Sequence, residues 1–299
     1  WIAPQEISEE RFVLENDVVS ATFLNLGGNL SGLELKRFED QREGHESPHW
    51  KLAKNEQCTN IELEVENRRI DLADYAFDVE EFSDAQGKGL RFTTQIHTDI
   101  QVVKTFLLRN DDYRLDYELA IESPYTIQRY EMDFLRTIQH SEINRKDEDG
   151  YFEANAMANN SYESFKMKKV QKEGKILLSG DLQWASLRNK YFVAVLLPDE
   201  QASISELRFL GDVQGIGAKV VAEPHRRTVE NRFSLYFGPL VQSNLSALGK
   251  DVERVINGGL LRPLSNLFVW VLQQIYKLIP NYGIAIILFG ILIKVLLSP

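Results

Sequence analysis

Alternation of apolar and polar residues with a period of two runs through the first 240 residues, and it constrains the fold more than any other feature. In "YRLDYELAIE" the apolar and aromatic residues fall on one face and the charged residues on the other; the first set is Tyr113, Leu115, Tyr117, Leu119 and Ile121. This period is typical of an antiparallel strand with one buried face. "RFSLYFG", residues 232–238, repeats the pattern.

Other segments extend the series of strands. "KYFVAVLLP", residues 190–198, is a continuous apolar run that predicts a core strand buried on both faces. Gly27-Gly28-Asn29 and Asn110-Asp111-Asp112 separate alternating segments and predict hairpin turns.

These strands predict one large β-sandwich rather than two small ones. The predicted strands exceed what an immunoglobulin-sized domain of about 100 residues contains. No Pro/Gly/Ser-rich linker divides them, so we place a single domain at residues 1–241. The polar stretches 37–60 and 144–162 are expected to be long surface loops.

The charge is distributed unevenly. Three of the 34 basic residues and none of the 44 acidic residues lie beyond residue 260, so the first 260 residues carry 31 basic and 44 acidic side chains, a formal charge of −13. Such a body repels phosphate backbones, and nucleic-acid binding is not expected. We also expect it to avoid an anionic bilayer except through its C-terminal segment.

Residues with catalytic or ligating chemistry are few. The lone Cys58 has the character of a small buried apolar residue. The five histidines are scattered, and no nucleophile elbow, P-loop, metal-spaced Cys/His cluster or dinucleotide fingerprint occurs. We therefore predict a protein that is not an enzyme and has no metal or cofactor.

The pattern becomes helical after Gly238-Pro239. "SNLSALGKDVERVINGG", residues 243–259, has apolar residues at helical spacing, with a capping residue at its start and Gly258-Gly259 at its end. It predicts a linking helix over residues 242–259.

Residues 260–280 predict an amphipathic helix. One apolar stripe contains Leu264, Leu267, Phe268, Val271, Leu272, Ile275, Tyr276 and Ile279. The apolar face carries aromatic residues, and the opposite face of the helix carries few charged residues. This combination suits a helix that lies in a membrane interface. A helix packed on the sandwich is the alternative.

Residues 281–299 are apolar all round after a break at Pro280-Asn281-Tyr282-Gly283, as in a membrane span. A full span needs about 20 residues, so we expect a truncated transmembrane helix. A buried helix of a soluble protein is the alternative.

Lys294 lies inside this apolar run. At 1.5 Å per residue it falls about 18 Å along a span that starts near Tyr282, beyond the midplane of a hydrocarbon layer about 30 Å thick. A charge at such depth faces a polar cavity or a counter-charge, or its long stem carries the ammonium towards the far headgroups. Gly290, one turn earlier on the same face, would admit a close neighbour.

The chain resembles the YidC membrane protein insertase family in its Gram-negative form. The weaker similarity lies in the sandwich, in "VVSATFLNLGGNLSGLEL", "QVVKTFLLRNDDYRLDYELAIES", "QWASLRNKYFVAVLLPDE" and "RFSLYFGPL". The specific part is "GGLLRPLSNLFVWVLQQIYKLIPNYGIAIILFGILIKVLLSP", in which an amphipathic helix precedes an "NYG" turn and a span with a positive residue followed closely by a proline.

The resemblance implies a galactose-mutarotase-like β-supersandwich in the periplasm, joined to the first groove-forming helix of an inner-membrane insertase. It implies that Lys294 lines a hydrophilic substrate groove, where the family more commonly has arginine. The implied partners are nascent membrane proteins, the Sec translocon and the lipid bilayer. The remaining alternative is a membrane-anchored binding module for a glycan or an extended peptide.

Overall fold

A computed structural model describes residues 1–2, 8–39, 49–142, 144–213, 215–256 and 262–297, with the backbone alone at 49–50, 52–56, 262–266 and 296–297. Strands dominate these residues up to residue 239, and the two longest helices follow residue 261. The prediction of a mainly β chain followed by C-terminal helices is therefore confirmed.

In the part of the chain that the structure describes, the first sheet has four antiparallel strands in spatial order β1-β2-β3-β4. They are β1 (Arg11–Glu15), β2 (Val19–Leu24), β3 (Asn29–Glu39) and β4 (His49–Cys58). The predicted turn at Gly27-Gly28 joins β2 to β3, and both glycines have positive φ, +74° and +57°. Glycine adopts this region without the steric cost that a Cβ imposes.

Within the described residues, the second sheet has fourteen strands. They are β5 (Ile61–Val65), β6 (Arg68–Asp71), β7 (Asp78–Ser83), β8 (Gly87–His97), β9 (Ile100–Arg109), β10 (Arg114–Leu135), β11 (Glu153–Ala158), β12 (Ser161–Lys166), β13 (Lys175–Ser179), β14 (Leu182–Arg188), β15 (Phe192–Pro198), β16 (Ile204–Gly211), β17 (Ile216–Ala222) and β18 (Arg226–Pro239). The predicted turn at 110–112 joins β9 to β10, and every residue of β15 is buried, as predicted.

The 22-residue strand β10 organises the second sheet. Along its first half it pairs with β9 and β18, so that Leu115 lies opposite Leu108 and Leu235. Along its second half it pairs with β5 and β17, and Met132 lies opposite Ile61 and Val220. The register shifts between Glu122 and Ile127, so one strand passes from one half of the sheet to the other.

A continuous core joins the two sheets. The rings of Phe23 in β2 and Phe106 in β9 lie 4.7 Å apart, those of Phe106 and Tyr117 4.8 Å apart, and those of Tyr117 and Phe233 5.7 Å apart. Buried side chains of both sheets belong to the same hydrophobic cluster. Cys58 is part of it, as its apolar character predicts.

Both predicted surface loops are wrong in part. The first contains the end of β3 and the strand β4, and residues 40–48 lie outside the described residues. The second contains α1 (Arg145–Glu148), a 3-10 helix (Asp149–Tyr151) and the fully buried β11. The sequence of β11, "EANAMA", consists mainly of small residues with low strand propensity, and pairing with β12 and β14 makes it a strand.

Helices occupy short segments of the β-rich part and most of the C-terminal part. They are α2 (Met167–Glu173), α3 (Gln242–Ser246), α4 (Arg262–Leu278) and α5 (Tyr282–Leu297), with 3-10 turns at Leu72–Asp74 and Val252–Val255. Where one linking helix was predicted over 242–259, the chain forms α3 and the second 3-10 turn. Gly249, Lys250 and Asp251 between them have positive φ and end the helical path.

The chain divides into two compact units, Trp1–Asn244 and Leu245–Pro299. The functional boundaries proposed within residues 242–299 remain predictions.

Candidate functional site

The C-terminal unit contains a helical hairpin made of α4 and α5. Pro280 separates the helices, and Asn281 starts the second one. The side-chain Oδ1 of Asn281 accepts hydrogen bonds from the backbone N–H groups of Gly283 (3.0 Å) and Ile284 (3.3 Å). This is an N-terminal cap, which satisfies donors that the first helical turn leaves without partners. The "NYG" turn therefore has a local structural role.

Aromatic side chains close the hairpin. Tyr276 of α4 stacks on Tyr282 of α5 with ring centroids 4.1 Å apart, and Phe268 meets Phe289 edge to face at 5.5 Å. On α5, Ala285 is buried, and Phe289 and Ile293 are half-buried at intervals of four residues. One face of α5 therefore packs within the hairpin.

Some residues of the predicted interfacial stripe of α4 are half-buried, and others are exposed. Val271, Leu272, Ile275 and Tyr276 are half-buried, whereas Leu267, Phe268 and Ile279 are exposed. Ile279 lies just beyond the end of α4, and the side chain of Leu264 lies outside the described residues. The stripe is thus helical, and its role as a membrane-interface surface remains a prediction.

Much of the hairpin surface is apolar and uncovered in the chain alone. Trp270 is 58% and Ile287 is 64% exposed. The other exposed large apolar residues of α5 include Tyr282, Ile284, Ile286, Leu288, Ile291, Leu292 and Val295. Contiguous apolar surface of this kind marks contact with a partner or a membrane.

Lys294 is exposed on α5, one turn after Gly290. A Cβ on Gly290 would meet no atom within 4 Å, so the face that these two residues share is open. Residues 261–299 contain no acidic residue, and neither helix of the hairpin supplies a counter-charge. The structure places the two residues together as predicted, but it does not test the groove.

None of the described helices has the length and apolar character needed to cross a membrane.

Two of the histidines, His97 and His140, have local side-chain contacts. His97 lies against the rings of Trp1 and Tyr125, with centroids 5.3 and 5.8 Å away. The Nε2 of His140 lies 2.8 Å from a carboxylate oxygen of Asp149. Within the described part of the chain, no group of three or more His, Cys, Asp and Glu residues has the arrangement of a metal site.

Sequence reasoning missed a buried cation in the sandwich. Lys104 of β9 is fully buried, and its ammonium donates hydrogen bonds to Gly27 O (2.7 Å), Asn29 Oδ1 (2.9 Å) and Thr59 O (2.8 Å). Burial lowers the pKa of Lys104 to about 7, and the nearby Asp71 and Asp133 oppose part of this shift. The signal was present in the sequence, because the period of two puts Lys104 on the same face as Val102 and Phe106.

A cleft of about 690 Å³ lies beside the edge strand β1. Its lining combines aromatic side chains such as Phe12 and Tyr75 with polar ones such as Asn25, Thr93 and Gln101.

The sequence matches the YidC periplasmic domain family over residues 11–271. The chain belongs to the YidC periplasmic domain family. The match spans the sandwich and reaches into α4.

Curated relatives extend the YidC match to almost the entire chain. The chain is 28% identical to the membrane protein insertase YidC of Chlorobium luteolum, covering 99% of this chain and 54% of the relative. It is 25% identical to the protein of the same name from Chlorobaculum tepidum, covering 98% of this chain and 52% of the relative. The chain therefore spans about half the length of the curated relatives it matches.

Solved structures show the fold of this YidC sandwich. A galactose 1-epimerase from Lactobacillus acidophilus superposes with a TM-score of 0.52 at 10% identity, covering 80% of this chain and 97% of the epimerase. The predicted galactose-mutarotase-like sandwich is confirmed, and at this identity the likeness concerns the fold alone.

Proposed function

We propose that this chain is the periplasmic sandwich and first groove helix of a membrane protein insertase, which helps nascent inner-membrane proteins to insert and fold. The observation that carries the proposal is the match of nearly the whole chain to relatives named membrane protein insertase. The family match favours this function over a membrane-anchored binding module for a glycan or an extended peptide.

The hairpin supports a location at the inner membrane, with the sandwich on the periplasmic side. Its uncovered aromatic and aliphatic residues suit lipid contact, with α4 in the interface and α5 entering the hydrocarbon layer. Hydrophilic segments of a client pay a large desolvation cost when they enter hydrocarbon. A polar groove in the bilayer reduces that cost without any bond being made or broken.

Lys294 is the residue of this chain that we assign to the groove. It is exposed beside Gly290, and no acidic residue of the hairpin neutralises it. A positive charge held on an open helix face attracts the acidic and polar groups of an incoming client. The Sec translocon is the second partner that we propose, with the insertase working alone or beside it.

The test joins this chain to the remaining half of the Chlorobium luteolum relative and measures insertion of a small single-span client. The membranes are depleted of their own insertase. Lys294→Arg is expected to retain insertion, whereas Lys294→Ala and Lys294→Glu are expected to reduce it severalfold or more, because they remove or reverse the groove charge. Lys277→Ala, which removes the exposed lysine of α4, is the matched control and should insert normally.

Equal insertion by Lys294→Ala and the unsubstituted protein, at equal expression, would exclude a groove role and leave Lys294 as a headgroup anchor. A chimera that fails to insert any client, although it is folded and membrane-bound, would contradict the insertase function itself.

A further inference from the structure

A cluster of lysines lies on the acidic sandwich, at α2. Residues 166–175, "KMKKVQKEGK", contain five lysines and one glutamate. Met167 and Val170 are buried and hold one side of α2 against the sandwich. Lys168, Lys169 and Lys172 are therefore exposed on its other side, and Lys175 is exposed at the start of β13.

Most of this charge is not neutralised by neighbouring acids. Lys166 is paired with Glu153. In the described part of the chain, Lys168, Lys169, Lys172 and Lys175 form no ion pair; the ammonium of Lys169 lies 4.9 Å from the ring centre of Phe165. With Glu173 and Asp212 counted, this region retains two positive charges although the surrounding domain is acidic.

Exposed aliphatic side chains lie directly beside the lysines. Leu210 of β16 pairs with Lys175, and Leu177 is exposed two residues further along β13. Val213, in the turn between β16 and β17, is fully exposed.

The turn is held firmly against α2. Gln171 Nε2 donates to Asp212 O (2.6 Å), and Gly211 N donates to Gly174 O (2.9 Å). A Cβ on Gly211 would lie 2.6 Å from the carbonyl group of Val170, so the two segments are in close contact. The aliphatic tip and the lysines therefore form one surface, which we call the α2 corner (Lys168, Lys169, Lys172, Lys175, Leu177, Leu210 and Val213).

We propose that the α2 corner binds the surface of a bilayer that contains anionic phospholipids. Clustered lysines attract phosphate headgroups, and aliphatic side chains at a protruding turn enter the headgroup layer. An acidic protein segment would also attract the lysines, but a fully exposed valine at the tip of a turn suits insertion between headgroups better than it fills a groove. This inference goes beyond the insertase function and does not depend on Lys294 or on clients.

The test measures binding of the full chain to vesicles of phosphatidylcholine, with and without phosphatidylglycerol. The apolar hairpin contributes in both lipid mixtures, so the readout is the ratio of the two partition coefficients. The triple substitution K168Q/K169Q/K172Q is expected to lower that ratio about tenfold or more, because it removes three positive charges that attract an anionic surface. K168R/K169R/K172R should retain the ratio.

The matched control K88Q/R226Q/R227Q removes the same charge from exposed positions of β8 and β18. It should leave the ratio within about twofold of the unsubstituted chain. Val213→Asp, at a fully exposed position that folding does not require, should lower binding to the anionic vesicles. Circular dichroism and thermal unfolding verify that each variant is folded.

An unchanged ratio in the α2 triple variant, or the same loss in the control triple, would overturn the proposal. So would binding of the α2 corner to polyglutamate without preference for anionic vesicles, which would identify an acidic protein partner instead.

Discussion

At the scale of single residues, the buried ammonium of Lys104 connects three parts of the sandwich. Its hydrogen bonds join β9 to the turn after β2 and to Thr59 between β4 and β5. Asn29 then donates to Asn60, and Asn60 donates to Asp71 at 2.8 Å. A buried hydrogen-bond network of this kind stabilises the fold only while every polar group in it has a hydrogen-bond partner.

Replacing Lys104 with methionine is expected to destabilise the protein by about 3 to 5 kcal/mol, since it leaves buried oxygen acceptors without donors. Burial lowers the folded-state pKa to about 7 from the ordinary 10.5, so the unfolded chain holds this proton more strongly. The lysine's contribution to stability therefore rises with pH between these values. Urea unfolding at pH 7 and pH 9 should show a larger penalty at pH 9.

The control is Lys88→Met on the adjacent strand β8, where the lysine is exposed. Its expected effect is within about 0.5 kcal/mol at both pH values. A Lys104→Met variant as stable as this control would mean that the buried hydrogen bonds contribute nothing net.

At the scale of elements, turns with positive φ determine where strands and helices end. Gly27 and Gly28 reverse the chain between β2 and β3, and Gly27 also presents its carbonyl oxygen to Lys104. Gly249 to Asp251 end the helical path that apolar spacing alone predicts to continue. In α5, by contrast, a side-chain cap from Asn281 starts the helix.

Gly27→Ala is expected to cost clearly more stability than Gly249→Ala. Both glycines have similar φ, +74° and +72°, so both substitutions carry a left-handed backbone cost of about 1 to 2 kcal/mol. A Cβ at Gly27 would also lie 2.2 Å from Asn29 Nδ2, whereas one at Gly249 would meet no atom within 4 Å. Chemical denaturation measures both, and equal losses would show that Asn29 moves aside without cost.

At the scale of the whole molecule, the two sheets share one hydrophobic core, and charge is distributed unevenly over the surface. A series of ring contacts, from Phe23 through Phe106 and Tyr117 to Phe233, extends from the first sheet into the second. Net charge predicts a domain that avoids anionic membranes, but the run of lysines in residues 166–175 is exposed at the α2 corner. A membrane responds to the electrostatic field close to the protein surface, because salt screens this field over about 10 Å or less.

Phe106→Ala is expected to lower the unfolding free energy by about 3 to 5 kcal/mol, because it leaves a cavity between the sheets. Since the core is shared, hydrogen exchange of β3 and β10 amides should accelerate by the same factor. Acceleration confined to β9 and its neighbours would show that the sheets open separately.

The sequence alone determined the β character of the first 240 residues, the hairpin turns at 27–29 and 110–112, the core strand β15 and the helical stripe of α4. These features depend on local periodicity and on residues that favour turns. Tertiary structure decided that "EANAMA" is a central strand, that β10 serves two halves of a sheet, and that the linking helix breaks.

Tertiary structure also decided the surroundings of each charged side chain. Lys104 and Lys168 are both lysines, but Lys104 is fully buried next to the turn at Gly27, whereas Lys168 is exposed on the α2 corner. Strand pairing between distant segments makes that distinction, because burial and electrostatic environment depend on which segments meet. Local pattern places Lys104 on the apolar face of β9 and groups the lysines of residues 166–175, but it does not show which segments cover or surround them.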